Sequence, residues 1–567
     1  MIFRFLRKAQ VQSLFALMLM LAFVSQAAAQ QPAPARSDSS SSAALSQTEK
    51  DLTASIKIQT IKEITAALAA GEMQGRGTMQ PGGDKAASWI ADRFQKLGLK
   101  PLGTEKGSYL QKIDFRETAL APESALKIGA ENLRSGSDFA FVPMPYEAAD
   151  KSAAAEMVFV AYGIDGGFSR KDLTGVDVRG KIVVLIDGPP ANVTGSEWEK
   201  QDGKIKVLVG LIRSGAAGVI FIPHGREKEP VETFIDYLGR RQISMADKKT
   251  EAEPIPIPPL VMASGKAAEK LFAKSGVSLK DALAQAETGS FRPFSLNQEA
   301  KIVVKYKTTR GFSSNVAGYI EGSDPKLKEE AVLFSAHYDA YGMENGKIYH
   351  GAADNALGVA EMMAVAEAYT KLPTKPKRSM IFLAVTGEEY GLYGSKYWAK
   401  NPTWNIKKVA ANLNLDGIGT EVYAPVKTFV GFGAEHSTIG ALLTDVSSAF
   451  GIRVIPDPMP DEKIFYRSDH YSFVERGVPA LMLLGAPAGD PQAWIKRSKE
   501  WEKTDYHQPT DTIRPDWSWE GAKTVADVMA ILGWRISQTE AMPRWLPSSR
   551  FANLERGNTK EISEDDN

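Results

Sequence analysis

Cysteine is absent from all 567 residues. A chain without thiols forms no disulfide, carries no cysteine nucleophile and offers no zinc–thiolate site. Any metal it binds must sit on His, Asp and Glu. Histidine is scarce as well, with six in the whole chain, so each can be weighed individually. Net charge is missing too, because 68 Lys plus Arg stand against 68 Asp plus Glu. That balance argues against a nucleic-acid partner and against an anionic membrane surface. The chain also lacks an apolar run of the roughly 20 residues that a spanning helix needs. Its nearest approach is Leu14 to Val24, preceded by Arg4, Arg7 and Lys8 and followed by Ala27-Ala28-Ala29. A basic start, a short apolar stretch and small residues at a cleavage-like site predict a secretory signal peptide over 1–29, a membrane anchor being the alternative. The mature protein is then expected in the periplasm or outside the cell, without stable membrane insertion.

What is present describes a large soluble protein. Hydrophobic residues make up 43% and charged residues 24%, enough apolar surface for two or three packed domains. Residues 30–48, rich in Ala, Pro, Ser and Gln, read as a disordered linker. Two helical patterns follow within 49–100, the second over Asp84–Leu97, with Gly98 as its cap and Pro101 just beyond. Between about 130 and 299 short strands dominate: Met157–Gly163, Lys181–Ile186, Gly218–Ile222 and a strand and turn over Pro254–Ala263, with Val207–Ser214 helical. This stretch reads as a β-rich insert. After residue 300 the pattern turns α/β. Apolar strands at Ala331–Ala336, Ser379–Val385, Val409–Leu415 and Ala480–Leu484 alternate with helices at Ala356–Tyr369 and Gly391–Lys400. Short continuous apolar strands of this kind predict a mostly parallel mixed sheet covered by helices on both faces. Residues 546–567 read as a solvated tail.

In such a sheet functional groups gather where strands exit at their carboxyl ends, and those exits carry metal-ligand residue types. The first strand runs into His337-Tyr338-Asp339. Ala353-Asp354-Asn355 precedes a helix, Glu388-Glu389 ends the next strand and Asp416 the one after. Far downstream, Tyr506-His507 and Asp511 lie in a loop before the final helix. Each of these is weak alone, since His-x-Asp is an ordinary hydrogen-bonded pair and Asp-Asn an ordinary helix cap. Their order and placement carry the argument, because imidazoles and carboxylates from successive exits converge on one edge, and zinc accepts both. Asp339 and Asp511 sit where each could orient a neighbouring imidazole or simply close a local turn. Ser468-Asp469-His470 invites a serine-hydrolase reading, but triads assemble from separate parts of a fold, and no Gly-x-Ser-x-Gly elbow is present. His224, His350 and His436 read as loop or surface histidines.

That series of residues resembles the co-catalytic di-zinc aminopeptidase family, whose relatives include leucyl aminopeptidases, glutamate carboxypeptidase and the glutaminyl cyclases. The similarity extends over about 60–130 and 300–540, including Met73-Gln74-Gly75-Arg76-Gly77, and places a zinc peptidase domain at 49–129 and 300–545. It implies that His337 and Asp416 bind one metal, Glu389 and His507 a second, and that Asp354 bridges both. Glu388 matches the family's general base. Tyr506 is a candidate donor to the reaction's oxyanion or a packing residue. Ser468-Asp469-His470 falls near the substrate pocket and off the metals. The insert at 130–299 resembles, more loosely, a protease-associated domain through Val158–Gly163, Gly180–Asp187 and Gly215–Val219. Ala340, Ala353 and Leu357 depart from common family residues around the pocket without removing a ligand. The resemblance implies an exported aminopeptidase that uses two Zn2+, or other divalent ions, on peptide substrates, with Glu388 moving the proton. A carboxypeptidase, a glutaminyl cyclase and a non-catalytic binding protein are the alternatives, and the oligomeric state is left open.

Overall fold

The computed structural model describes residues 44–142, 150–226, 231–246, 257–288, 291–417, 419–423, 425–487 and 491–560. The expected signal peptide and residues 30–43 of the expected linker lie outside the described residues, as does the acidic end at 561–567. The described chain divides into two compact units, one comprising Arg116–Gln242 with Ala246–Thr309 and the other the remainder.

The second unit opens with three helices, α1 (Gln47–Ser55), α2 (Ile58–Leu68) and α3 (Pro81–Lys96). Helix α1 begins inside the stretch expected to be linker. Ser46 and Glu49 form a reciprocal capping box there, which satisfies two end N–H groups and starts the helix early. Helix α3 has Pro81 in its first turn and ends before Gly98, whose φ of 74° is one that glycine adopts without cost.

The sheet of this unit contains β1 (Leu110–Leu120), β2 (Gln242–Met245), β3 (Tyr306–Ile320), β4 (Ala331–His337), β5 (Ser379–Val385), β6 (Val409–Asn414), β7 (Thr428–Phe432), β8 (Arg453–Ile455) and β9 (Ala480–Ala486). Their order across the sheet is β8-β7-β9-β6-β4-β5-β3-β1-β2. The inner strands β9, β6, β4 and β5 run parallel, whereas β7 against β9 and β3 against β5 are antiparallel. Every residue of β4, β5 and β6 is buried, as expected of strands covered on both faces.

Alternation sorts the side chains into two cores. Val332, Phe334 and Ala336 pack with Met380, Phe382 and Ala384 against α4 (Leu357–Lys371) and α8 (Trp519–Gln538). Ala331 and Leu333 pack with Ile381, Leu383 and Val385 on the other face, against Trp398 and Phe473. Phe334 and Phe382, partners in register, stack at 5.3 Å. Full burial of each such side chain stabilises by about 1.5–3 kcal/mol. Tyr369 of α4 donates to Ala530 O of α8 at 2.6 Å, which satisfies a hydroxyl buried between the two helices. Helix α5 (Tyr393–Lys400) starts two residues later than the sequence predicts, since Gly391 and Leu392 have φ of 127° and 60°. Helices α6 (Ile439–Ala449) and α7 (Pro491–Thr504) also belong to this unit. Residues 546–558, expected to be solvated tail, are docked: Phe551 is buried, and Arg556 donates to Val409 O at 3.0 Å and Ala410 O at 2.9 Å.

The first unit holds an eight-stranded sheet in the order Glu131–Leu133, Ala125–Ile128, Phe294–Val304, Lys151–Phe159, Ile182–Ile186, Gly218–Ile222, Leu260–Ala263, Phe139–Phe141. Lys151–Phe159 begins well before the predicted Met157. It stops at Phe159, because Ala161 (φ 48°) and Gly163 (φ 67°) turn the chain. Among the described residues no helix is long and apolar enough to cross a membrane.

Candidate metal centre

The parallel register fixes where the chemistry collects. His337 ends β4 and pairs with Val385, the last residue of β5, so Thr386–Glu389 leaves the sheet beside it. Ser335 pairs with Asn414 of β6, which brings Leu415 and Asp416 to the same edge. Asp354 comes from the loop before α4, and His507 from the segment between α7 and α8.

These residues form two groups able to hold a metal ion, His337–Asp354–Asp416 and Asp354–Glu389–His507, with Asp354 in both. His337 Nε2 lies 3.2 Å from Asp354 Oδ1 and 3.6 Å from Asp416 Oδ1. His507 Nε2 lies 3.4 Å from Asp354 Oδ2 and 3.0 Å from Glu389 Oε2. One carboxylate thus presents a different oxygen to each imidazole. Asp416 Oδ1 is buried without a hydrogen-bond partner, and a buried acceptor of that kind is what a cation relieves.

Neighbouring groups fix the orientation. His337 Nδ1 meets Asp339 O at 3.1 Å, while the Asp339 carboxylate is 3.8 Å away. Asp339 thus meets the imidazole through its main chain, while its side chain neither reaches the ring nor closes a local turn. Asp339 Oδ1 accepts from Glu388 N at 3.2 Å and Oδ2 from Thr78 Oγ1 at 3.1 Å. Asp511 does not reach for His507. Its two oxygens accept the N–H groups of Ala353 at 2.9 Å and Asp354 at 3.0 Å, so it shapes the loop that presents Asp354. Tyr341 Oη faces His507 Nδ1 at 3.3 Å. Ser468 Oγ donates to Asp416 Oδ2 at 2.5 Å and accepts from Asn414 Nδ2 at 2.8 Å. Nothing in the sequence points to Thr78 or Tyr341 for these contacts, and Ser468 stands out there only as part of 468–470.

The tripeptide 468–470 does not assemble a triad. Ser468 turns to Asp416, and the buried ring nitrogens of His470 have no hydrogen-bond partner. Burial drives His470 down to about 3, so it stays neutral. Tyr506 stacks on His507 with ring centres 3.6 Å apart. His350 Nδ1 meets Ala69 O at 2.9 Å, and His436 packs between Phe465 and Phe551. His224 is half-buried, with Nδ1 accepting from Arg226 N at 2.8 Å. None of these three falls in either ligand group.

Electrostatics match the geometry. Burial opposes charge on His337, but Glu388, Asp416 and Asp354 raise it well above the ordinary imidazole value. Against the same burial, Glu389 and Asp354 raise His507 to about 9. Asp354 lies well below the carboxylate range, because hydrogen bonds to both imidazoles outweigh its burial. Burial, with Asp469, Asp416 and Glu389 adding repulsion, pushes Glu388 well above the range despite His337. Paired groups driven apart by their surroundings mark acid–base sites.

Comparison with known proteins agrees with this arrangement. Residues 315–532 match the model of the family described as Peptidase family M28. The chain is 25% identical over 352 residues to a probable glutamate carboxypeptidase of Zea mays, covering 59% of this chain and 47% of that protein. It is 34% identical over 188 residues to a vacuolar membrane protease of Candida dubliniensis, covering 33% and 18%. The chain therefore spans less than half the length of these curated relatives. Among solved structures it is similar to an aminopeptidase from Aneurinibacillus sp. strain AM-1, with a TM-score of 0.55 at 19% identity over 87% of this chain and 97% of that one. A zinc aminopeptidase from Bacillus subtilis gives 0.54 at 19% identity, over 88% and 98%. At such identities the likeness is one of fold, and it carries the mixed sheet and its helical layers. Residues 315–532 are thus similar to peptidase family M28, and the matched stretch contains all five residues of the two ligand groups.

Proposed function

We propose that this chain is a zinc-dependent aminopeptidase that removes amino-terminal residues from peptides and uses two metal ions. The observation that carries the reading is the pair of ligand groups sharing Asp354, with the Glu388 carboxyl electrostatically tied to both His337 and Asp416. His337, Asp354 and Asp416 would hold one ion, and Asp354, Glu389 and His507 the other. A donor set of imidazoles and carboxylates without thiolate suits zinc. Bound there, two such ions supply Lewis acidity and a water of lowered pKa.

The remaining chemistry belongs to the chain. Glu388 is the proton carrier, taking a proton during attack on the scissile carbonyl and returning it to the leaving amine. Its main-chain N–H donates to Asp339 Oδ1 at 3.2 Å, which fixes where the side chain leaves the loop. Tyr506 is the donor that meets negative charge on the carbonyl oxygen, its ring held flat on His507. The aminopeptidases among similar structures support the choice of substrate end. Export to the periplasm or beyond is part of the same proposal and rests on residues 4–29.

A carboxypeptidase is the second reading. The similarity to the maize protein favours it, and so does Arg467, whose charge acts on Tyr506 beside the centre and could receive a substrate carboxylate. The test follows nitroaniline release from leucine nitroanilide and from its acetylated twin, after chelation and after zinc is returned. Zinc-restored cleavage of the free-amine compound alone is expected. No cleavage across a panel of free-amine residues, with zinc bound, refutes the aminopeptidase and transfers weight to the carboxypeptidase, to a cyclase or to a binding role.

A further inference from the structure

Arg76 stands behind the metal centre and touches none of the ligand side chains. It has no exposed surface, and its guanidinium donates to four main-chain carbonyls. Nε reaches Tyr338 O at 2.5 Å, Nη1 reaches Leu68 O at 2.8 Å and His350 O at 2.7 Å, and Nη2 reaches Gly351 O at 2.7 Å. Tyr338 is the residue after His337, and Gly351 lies three before Asp354. One planar fork therefore ties the end of β4 to the loop that delivers the shared carboxylate.

The surroundings are shaped for this fork. Gln74, Gly75 and Arg76 have φ of 50°, 67° and 50°, a tight left-handed turn that aims the side chain inward. A Cβ on Gly75 would collide with the main chain at Tyr349 and Gly342. Gly351, at φ 56°, would place a Cβ 2.9 Å from Arg76 Nη2. Glycine at 351 thus lets the guanidinium come close. The charge matters as well. Burial lowers Arg76 to about 10 while Asp511, Asp339, Glu389 and Asp354 hold it up, so it remains cationic at neutral pH among the carboxylates of the centre. Lysine cannot substitute, since an ammonium is a point charge with three donors and no fixed fork.

We propose that Arg76 is a positioning residue for the metal centre, fixing the placement of His337 against Asp354 and supplying the buried positive charge that offsets its carboxylates. The inference rests on reading residues 337, 354, 389, 416 and 507 as ligands. Partners that orient metal ligands from outside the coordination shell typically cost 10–100-fold in affinity when removed.

The test is zinc binding by the full chain. Stripped protein is titrated with zinc against a chromophoric chelator, and bound ions are counted. Wild type is compared with Arg76→Lys, Arg76→Gln and a matched control, Arg378→Lys. Arg378 is equally buried and also serves carbonyls, donating to Ile536 O, Thr539 O and Glu540 O, but none of these belongs to the centre. Both Arg76 variants are expected to bind zinc about 10–100-fold more weakly. The control should stay within about twofold of wild type even if its metal-free melting point falls as far. The glutamine variant, which keeps two donors in place of the fork's five, decides the matter alone if the lysine variant does not fold. Wild-type affinity in the Arg76 variants, or an equal loss in Arg378→Lys, overturns the proposal. A wild-type chain that fails to bind two zinc ions overturns the ligand reading beneath it instead.

Discussion

Replacing Glu388 by Gln separates proton transfer from metal binding. The substitution keeps shape and volume and removes only the ionisable oxygen. Nothing in the main chain depends on that oxygen. Glu388 N is held by Asp339 Oδ1 at 3.2 Å, and Glu388 O accepts from Gly391 N at 2.8 Å and Leu392 N at 2.9 Å. The two ligand groups are likewise complete without it. The variant should therefore fold normally, bind zinc as wild type does and keep KM close to its original value. A positioned acid–base group contributes about 10²–10⁴-fold, so kcat should fall by that factor, about 2.7–5.4 kcal/mol of barrier. The metal-free variant should be no less stable than wild type, because burial and repulsion from Asp469, Asp416 and Glu389 already disfavour a charge on Glu388. Steady-state kinetics with a leucine nitroanilide, ion counting and a thermal melt together decide the question. A loss in kcat below tenfold at full zinc occupancy would show that another group moves the proton. A loss that tracks missing zinc would make Glu388 a ligand.

Chelation should abolish activity and lower the melting temperature, and zinc at about 1,000 times its Kd should restore about 4 kcal/mol of stability, read by calorimetry. Asp511→Asn keeps only one good acceptor for the N–H groups of Ala353 and Asp354. It should lower kcat/KM about 10–100-fold, with partial recovery at high zinc, and an unchanged zinc dependence would rule out this role. Tyr506→Phe retains the stack on His507 and should lower kcat about 10²–10³-fold if the hydroxyl meets the oxyanion; an unaltered kcat assigns Tyr506 to packing. Burial pushes Glu421 from 4.5 up to about 7, so the folded state holds its proton where the unfolded state has released it. The resulting penalty is absent below pH 4.5, grows as pH rises toward 7 and is complete above it. At 1.36 kcal/mol per pH unit, Glu421→Gln should stabilise the metal-free protein by about 3 kcal/mol at pH 8 and hardly at all at pH 4. Urea denaturation at the two pH values would refute this if the gain were equal at both.

Much of the sheet is legible in the chain because its inner strands are continuous apolar runs. Ala331–His337 and Ser379–Val385 stand out wherever both faces of a strand are covered. Strand β3 escapes notice because its first half, around Lys307 to Arg310, is exposed and polar while only its second half is buried. Residues near the centre are legible when they sit at a strand exit, as His337, Glu388, Glu389 and Asp416 do. Those acting from a distance are not. Arg76 meets carbonyls 262 to 275 residues away, and a carbonyl is the same group on every residue, so no side-chain pattern announces the contact. Asp339 and Asp511 show the limit differently. Proximity in sequence to a histidine pointed to the imidazole, yet short range equally allows a bond to the main chain, and only the backbone path decides between them. The docking of residues 546–558 is hidden in the sequence, because polar composition conceals one well-placed aromatic, Phe551.

Asp354 belongs to both ligand groups, one oxygen facing each imidazole. Two cations bound through a common carboxylate cannot be filled independently. A first cation held by Asp354 would fix the carboxylate's rotation and withdraw part of its charge, and so would alter what a second encounters. Whatever factor the first occupant imposes on the affinity of the second, the second imposes in return on the first. The sign of that factor weighs alignment gained against charge lost. If two cations load there, substitutions confined to one half should register in the occupancy of the other, and alignment outweighing charge would show as a loading curve steeper than any pair of separate sites gives.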